Sequence, residues 1–486
     1  MTDRFDLLIR NAAIVDGTGA SRYAADIAVR GERIARIGAL ETARAEVELD
    51  AAGKVAAPGF IDAHTHDDRL LLSSPEMTPK LSQGVTSVVS GNCGISLAPA
   101  PSPMRMPVRP PLDLLDGEGI WFRFPSFAAY LEELRARPAA INCAPLVGHT
   151  TLRVVTMDDL ERPARETEID RMRGMVREAL AAGAIGVSTG LYYEPAAAAP
   201  TEEVIEVCRP LREFDALYVT HMRDEGAHVL DSLEESFRIG REVGAPVVIS
   251  HHKVAGTPNH GRSTQTLPFI AERMRHQTIG LDCYPYAASS TVLSVERTTI
   301  ATRVLVTWSK PHPEHTGKDL AAVAKEMGVT QPEAVARLLP AGAIYFSMDE
   351  RDVQRILSFE PTMIGSDGLP HDAFPHPRLW ATFPRVLGHY SRELGLFSLE
   401  QAVHKMTGLT ARTFGLDDRG VLREGAFADI TVFDPATVDE AATFENPTAP
   451  SKGIETVVVN GAVAWQRGRA TGARTGRVLA RRRDTT

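Results

Sequence analysis

Between residues 60 and 367, short apolar runs ending in polar residues alternate with helical text, and no other feature of the chain restricts its fold so tightly. Eight such runs stand out: FIDAHTH at 60–66, VTSVVSGNC at 85–93, INCAPLVGH at 141–149, AIGVSTGLYY at 184–193, LYVTH at 217–221, PVVISHH at 246–252, TIGLDCYPY at 278–286 and TMIGSD at 362–367. Continuous apolar runs of this length are what strands of a parallel sheet require, because helices cover both faces. Segments such as EIDRMRGMVREALAAG and VLDSLEESFRIGREVG between the runs carry apolar residues at helical spacing. Eight strand–helix repeats predict an α/β fold closed as a (β/α)8 barrel of the TIM type.

The two chain ends share a different idiom. FDLLIRNAAIVDG, DIAVRGERIARIG and EVELDAAGKVAAPG near the start, and GAFADITVFDP and GIETVVVNGAVAWQRG near the finish, are short β-like runs broken by Gly, Asp and Asn. Together they predict one small β domain, a sandwich, assembled from residues 1–57 and 415–486, with the barrel over 58–414 inserted between. The seventh and eighth barrel runs are too far apart for one helix. The extra text at about 287–346 predicts an insertion acting as a lid over the carboxyl ends of the strands, where barrels place their sites.

Those strand ends carry His64, His66, Cys93, His149, His221, His251, His252, Tyr284 and Asp367. Chance would not bring so many of the chain's 15 histidines to one end of a barrel. In an extended strand, residues i and i+2 point the same way, so His64 and His66 can aim at one spot. Imidazole, thiolate and carboxylate together suit Zn2+. Cys93 sits in a turning GNCG context, unlike Cys143, Cys208 and Cys283, which read as small core residues. Next to the ligand candidate His251, His252 must face the other way in a strand and reads either as a group supporting the ligands from behind or as structural. His149 reads equally as a substrate-side group or as a plain cap.

A net charge of −9 gives no basic face for nucleic acid. The basic run RVLARRR at 477–483 reads as a solvated tail. No run reaches the roughly 18 apolar residues that a membrane helix needs, and the start, MTDRFDLLIRN, lacks the apolar core of a signal peptide. The chain is expected to be cytoplasmic, with free thiols, a small-molecule substrate, no nucleic-acid or membrane partner, and a monomeric or small homo-oligomeric state.

SGNCGISLAP, THMRDEG, SHHKVAG, IGSDGLPHD and PHPRLWATFPRVLGHY resemble the N-acyl-D-amino-acid deacylases of the amidohydrolase superfamily, from about residue 5 to the end. The resemblance implies a tight zinc on Cys93, His221 and His251, with Cys93 in a bridging role, and a weaker second site on His64, His66 and Asp367. It implies hydrolysis of N-acyl-D-amino acids, with Asp367 moving the protons. It also implies that Lys253, Arg378, Tyr193 and Tyr284 bind the substrate's α-carboxylate. Preference for the D-form rests on the resemblance alone. Arg297, at the start of the insertion, pairs with an acidic substrate side chain or else lies on the lid's outer surface and leaves an apolar pocket. The apolar or broad reading is preferred over an N-acyl-D-glutamate or D-aspartate deacylase. A cyclic-amide hydrolase of the same superfamily would typically use a bridging lysine after the fourth strand, and VSTGLYYEP has none. A catalytically dead barrel serving as a scaffold would have lost ligands, whereas every expected position is filled.

Overall fold

Alternation of side chains along buried strands separates two cores. Leu217 and Val219 face the barrel interior with Ile61, Val89, Leu146 and Val248, whereas Tyr218 between them faces the surrounding helices with Val88, Val247 and Ile249. The computed structural model describes residues 4–100, 104 and 106–482. All eight predicted runs contribute a strand to one parallel sheet, ordered as in the chain: Phe60–Asp62, Val85–Ser90, Asn142–Gly148, Gly186–Gly190, Leu217–His221, Val247–Ile249, Ile279–Cys283 and Thr362–Ile364. The barrel closes where Ala63 N donates to Ile364 O at 3.2 Å and Thr65 bridges to Gly368. Helices such as Glu166–Ala182 and Val229–Val243 pack outside it.

The strands are shorter than the sequence predicts at their carboxyl ends. His64 and His66 lie beyond the strand Phe60–Asp62, and His251 lies beyond Val247–Ile249. The physical reason is that the backbone turns there, so regular strand geometry ends although single bonds such as Thr65 N to Val89 O at 3.0 Å and His252 N to Asp282 O at 2.6 Å still cross between neighbouring segments. Cys93, His251 and Asp367 adopt φ of 53°, 35° and 49°, left-handed conformations that non-glycine residues rarely occupy.

Among the described residues, a second sheet of nine strands draws on both chain ends. Arg4–Ile14, Tyr23–Arg30, Arg33–Gly38, Arg44–Asp50 and Val55–Pro58 come from the start, and Ile430–Phe433, Ile454–Val459, Ala462–Gln466 and Arg469–Ala470 from the finish. The halves join where Val55–Pro58 pairs antiparallel with Ile430–Phe433. In the basic run at 477–483, Arg477 pairs with Glu32 and Arg482 lies 3.7 Å from Asp417; Arg483 lies outside the described residues.

The insertion has its own framework: an antiparallel sheet of Ala288–Val292, Arg303–Ser309 and Ala341–Phe346, backed by helices Leu320–Met327 and Gln331–Leu338. Val304, Val306, Leu320, Val335 and Tyr345 form its core. No described helix is long and apolar enough to cross a membrane.

Candidate metal centre

Cys93 occupies the middle of the cluster. Its Sγ lies 3.3 Å from Nε2 of His64 and 3.3 Å from Nε2 of His251. Local backbone explains its reach: Gly91 and Gly94, both at positive φ, turn the chain on either side, and a Cβ on Gly94 would strike Thr150 Oγ1 and the backbone of Gly190.

Two ligand groups share this thiol. Candidate ligand atoms of Cys93, His221 and His251 lie within 4.8 Å of one another, as do those of His64, His66, Cys93 and Asp367. Asp367 Oδ1 is 3.5 Å from His64 Nε2 and 3.3 Å from His66 Nε2. All six predicted ligands thus converge, although His64 and His66 do so from a loop and not from a strand face.

The residues fit a cation. Both ring nitrogens of His221 are buried without hydrogen-bond partners, a cost that a bound metal removes for the nitrogen aimed at it. Burial depresses the pKa of His221 well below its ordinary value, of His251 below it, and of His64 to about 3, so these rings are neutral, as ligation requires. Burial also holds the Cys93 thiol well above its usual range in the protein alone. A cation would therefore have to displace that proton on binding.

Residues around the ligands orient them. His251 Nδ1 faces Glu225 Oε1 at 3.1 Å and Lys253 Nζ at 2.7 Å, and Lys253 Nζ donates to Glu225 Oε1 at 2.6 Å. His221 Nε2 is 3.7 Å from Glu225 Oε2. Burial would raise the Glu225 pKa, but the Lys253 ammonium beside it outweighs burial and holds the carboxyl well below its ordinary value. Asp282 accepts from the His251 backbone N–H at 3.0 Å and lies 3.6 Å from His64 Nδ1. Asp62 accepts from Lys80 Nζ at 2.8 Å and from Ser366 N at 2.7 Å, tying the first barrel strand to the eighth. Carboxylates behind metal-binding histidines fix their ring orientation.

Sequence reasoning missed Glu225, Asp282, Asp62 and Lys80. Glu225 follows His221 by four residues in THMRDEG, and Asp62 precedes His64 by two, so spacing from a ligand was the available signal.

The remaining predicted residues separate. Lys253, Tyr193 and Tyr284 line the cavity over the cluster, together with Ser289, Ser290 and Thr291 of the insertion. Arg378 does not line it: fully buried, it places Nη1 2.9 Å from Asp367 Oδ2 and donates from Nη2 to Ser290 O at 3.1 Å. Arg297 does line it and is not on an outer surface; its guanidinium stacks 4.2 Å from the Tyr192 ring centre and donates to Tyr192 Oη at 2.9 Å. His252 points away and meets Thr266 Oγ1 at 2.9 Å; the left-handed turn at His251 separates the two rings. His149 is buried 3.7 Å from Glu203, away from the cluster. Cys143, Cys208 and Cys283 are buried, free and outside it.

Residues 47–281 and 256–464 match the amidohydrolase family. The chain is 60% identical to D-aminoacylase of Alcaligenes xylosoxydans xylosoxydans, over 98% of each chain. It is 52% identical to N-acyl-D-aspartate deacylase of the same organism, over 98% of this chain and 95% of that one. A solved D-aminoacylase, described with a binuclear centre showing one-metal activation and second-metal attenuation, superposes with a TM-score of 0.96 at 58% identity, covering 98% of this chain and all of that one. N-acyl-D-glutamate deacylase of Bordetella bronchiseptica, complexed with zinc and a phosphonate mimic of the tetrahedral intermediate, gives a TM-score of 0.94 at 46% identity, with the same coverage. On sequence, fold and ligand cluster together, the chain belongs to the amidohydrolase family, in the group of the D-aminoacylases and N-acyl-D-amino-acid deacylases.

Proposed function

We propose that this chain hydrolyses the linear amide bond of N-acyl-D-amino acids, releasing a D-amino acid and a carboxylate, with Zn2+ as cofactor. The observation that carries the proposal is the convergence of Cys93, His221 and His251 beside Asp367, under a cavity lined by cationic and hydroxyl side chains. We assign one tight zinc to Cys93, His221 and His251, and a weaker second site to His64, His66 and Asp367. Likeness to D-aminoacylase supports the preference for the D-form.

Zinc held here would polarise the amide carbonyl and bring the pKa of water from 15.7 toward about 7. Asp367 takes the proton of the attacking water and delivers it to the nitrogen as the C–N bond breaks, so that the amine leaves neutral. Glu225 and Lys253 keep the His251 ring turned toward Cys93.

The α-carboxylate needs a cation, and the cations near the cavity are unequally available. Lys253 is already paired with Glu225, and Arg378 with Asp367. Arg297 has no carboxylate within ion-pair distance among the described residues, and its guanidinium lines the cavity beside Tyr193. This supports Arg297 as the main α-carboxylate anchor, with Lys253, Tyr193 and Tyr284 as supporting donors and Arg378 acting through Asp367. An anchor of that kind serves any D-amino acid, so the side-chain range is read as apolar or broad. A second reading rests on the same guanidinium: it could instead hold the side-chain carboxylate of N-acyl-D-aspartate or D-glutamate.

Four buried, unpaired cysteines support a reducing, cytoplasmic location, and the working form is read as a monomer or small homo-oligomer. The test is steady-state hydrolysis of N-acetyl-D- and N-acetyl-L-leucine, -methionine, -phenylalanine and -glutamate by protein of known zinc content. Turnover confined to D-forms, with about one zinc per chain, is expected; zinc-loaded protein that turns over no D-form would overturn the proposal.

A further inference from the structure

Adjoining the metal cavity is a larger apolar crevice of about 670 Å³, within the usual range of about 300–1,000 Å³ for small-molecule sites. Met106, Val108, Ile120 and Trp121 form one wall, and Trp308 and Pro340 of the insertion form the other. Leu114 lines both spaces. Two further segments start at the cluster and finish in the crevice: His66 leads to Arg69, and Asp367 and Leu369 lead to His371 and Asp372. The crevice is therefore reached from the reacting centre along three separate stretches of chain. Arg297, Tyr193 and Lys253, the polar end of the cavity, come from other segments.

A substrate amide has two halves, and this arrangement offers each a different surface. We infer that the crevice lined by Met106, Ile120, Trp121 and Trp308 receives the acyl chain of the substrate, so that the enzyme acts best on N-acyl groups several methylenes longer than acetyl. The inference rests on the deacylase reading above.

Two observations support an apolar occupant. Met106 and Ile120 are 52% and 71% exposed at the crevice, and clustered exposed apolar side chains mark a binding surface. Three ionisable groups in the crevice are shifted toward their neutral forms by burial, which raises the Asp113 carboxyl to about 6 and that of Asp372 to about 7 and lowers His371 to about 3, and Arg69 is paired with Asp116 at 3.3 Å. Glu118 and Lys310, 3.2 Å apart, link the two walls.

The experiment compares kcat/KM of zinc-loaded, full-length protein on N-acetyl-, N-hexanoyl- and N-decanoyl derivatives of one D-amino acid, below their micelle concentrations. At about fourfold per fully buried methylene as the ceiling, a partly buried chain should raise kcat/KM by roughly tenfold or more from acetyl to decanoyl. Met106→Asp and Ile120→Asp, both at exposed positions, should flatten that dependence while N-acetyl turnover stays at the parent value. Turnover of the acetyl substrate with no rise along the series, or a rise that survives in both variants, would overturn the inference and leave the deacylase reading standing. Absence of turnover on every N-acyl-D substrate would remove the deacylase reading, and the inference with it.

Discussion

Arg378 and Asp367 form an ion pair in which Nη1 stands 2.9 Å from Oδ2 and the guanidinium is fully buried. Burial by itself would raise the Asp367 pKa, but the Arg378 guanidinium outweighs burial and holds the carboxyl well below its ordinary value. The carboxylate is therefore ionised throughout the physiological range and available to accept a proton. Removing the arginine should move the acid limb of the rate profile upward, because the carboxylate then loses its main compensation for burial. We expect Arg378→Met to shift the acid limb of kcat/KM to higher pH; a profile that keeps the parent limb would remove Arg378 from this role.

Asp367→Asn keeps the shape and deletes the proton acceptor. Its kcat should fall by about 10²–10⁴, the usual contribution of a positioned acid–base group, while one zinc per chain remains by elemental analysis. Turnover within tenfold of the parent enzyme would exclude Asp367 as the proton carrier.

The two ligand groups differ in what they offer an ion. Cys93, His221 and His251 present a thiolate and two imidazoles, a set well matched to zinc, whereas the other group relies on a carboxylate already engaged by Arg378. His66→Ala is thus expected to retain about one zinc and a measurable rate, and Cys93→Ala to lose both. Chelation of the parent enzyme should abolish activity and lower Tm, since zinc at about 1,000 times its Kd contributes about 4 kcal/mol to the folded state.

The barrel was legible because parallel strands covered on both faces must be apolar throughout, and each run from FIDAHTH to TMIGSD supplies one. The candidate ligands that converge on Cys93 were legible as polar residues placed where such runs end. What could not be read depends on contacts across the chain. Lys80 looks like a surface lysine in MTPKLS, yet it is buried against Asp62 and Ser366. Glu225 looks like a solvated charge in RDEG until Lys253, 28 residues on, closes over it. Arg378 could be read as near the site but not as already paired, because its distance to Asp367 depends on how the loop 368–377 folds back. The left-handed turn at His251 also lacks a local signal, whereas glycines stand beside Cys93 and Asp367.

Arg297 decides between two substrate readings, and one substitution separates them. If the guanidinium anchors the α-carboxylate, Arg297→Leu should raise KM for every D-substrate, by roughly tenfold or more for a charge-assisted bond of about 1.5–3 kcal/mol. If it holds a side-chain carboxylate instead, only N-acetyl-D-aspartate and D-glutamate should suffer, with D-leucine and D-methionine unchanged. An unchanged KM for the whole panel would place Arg297 outside substrate binding altogether.

A buried charge network away from the metal should govern acid stability. Arg153, fully buried, pairs with Glu203, and its Nε donates to Pro195 O at 2.7 Å; Glu203 also accepts from Ala164 N at 2.7 Å and lies 3.7 Å from His149. Burial pushes the Glu203 pKa up, but the nearby His149 ring and the hydrogen bonds from Arg153 and the Ala164 N–H outweigh that push and bring it down to about 2. A folded-state pKa below the unfolded value of 4.5 means that the folded protein releases this proton more readily than the unfolded chain. The stabilisation is therefore complete above about pH 4.5 and is lost as the pH falls toward 2. Its size is on the order of 3 kcal/mol. Glu203→Gln should accordingly lower Tm at pH 7 by several degrees, and the gap between variant and parent should close progressively from pH 4.5 downward. Differential scanning fluorimetry on zinc-free protein checks this without interference from metal loss at low pH. A gap that stayed constant from pH 7 to pH 3 would mean that Glu203 contributes by shape and not by charge.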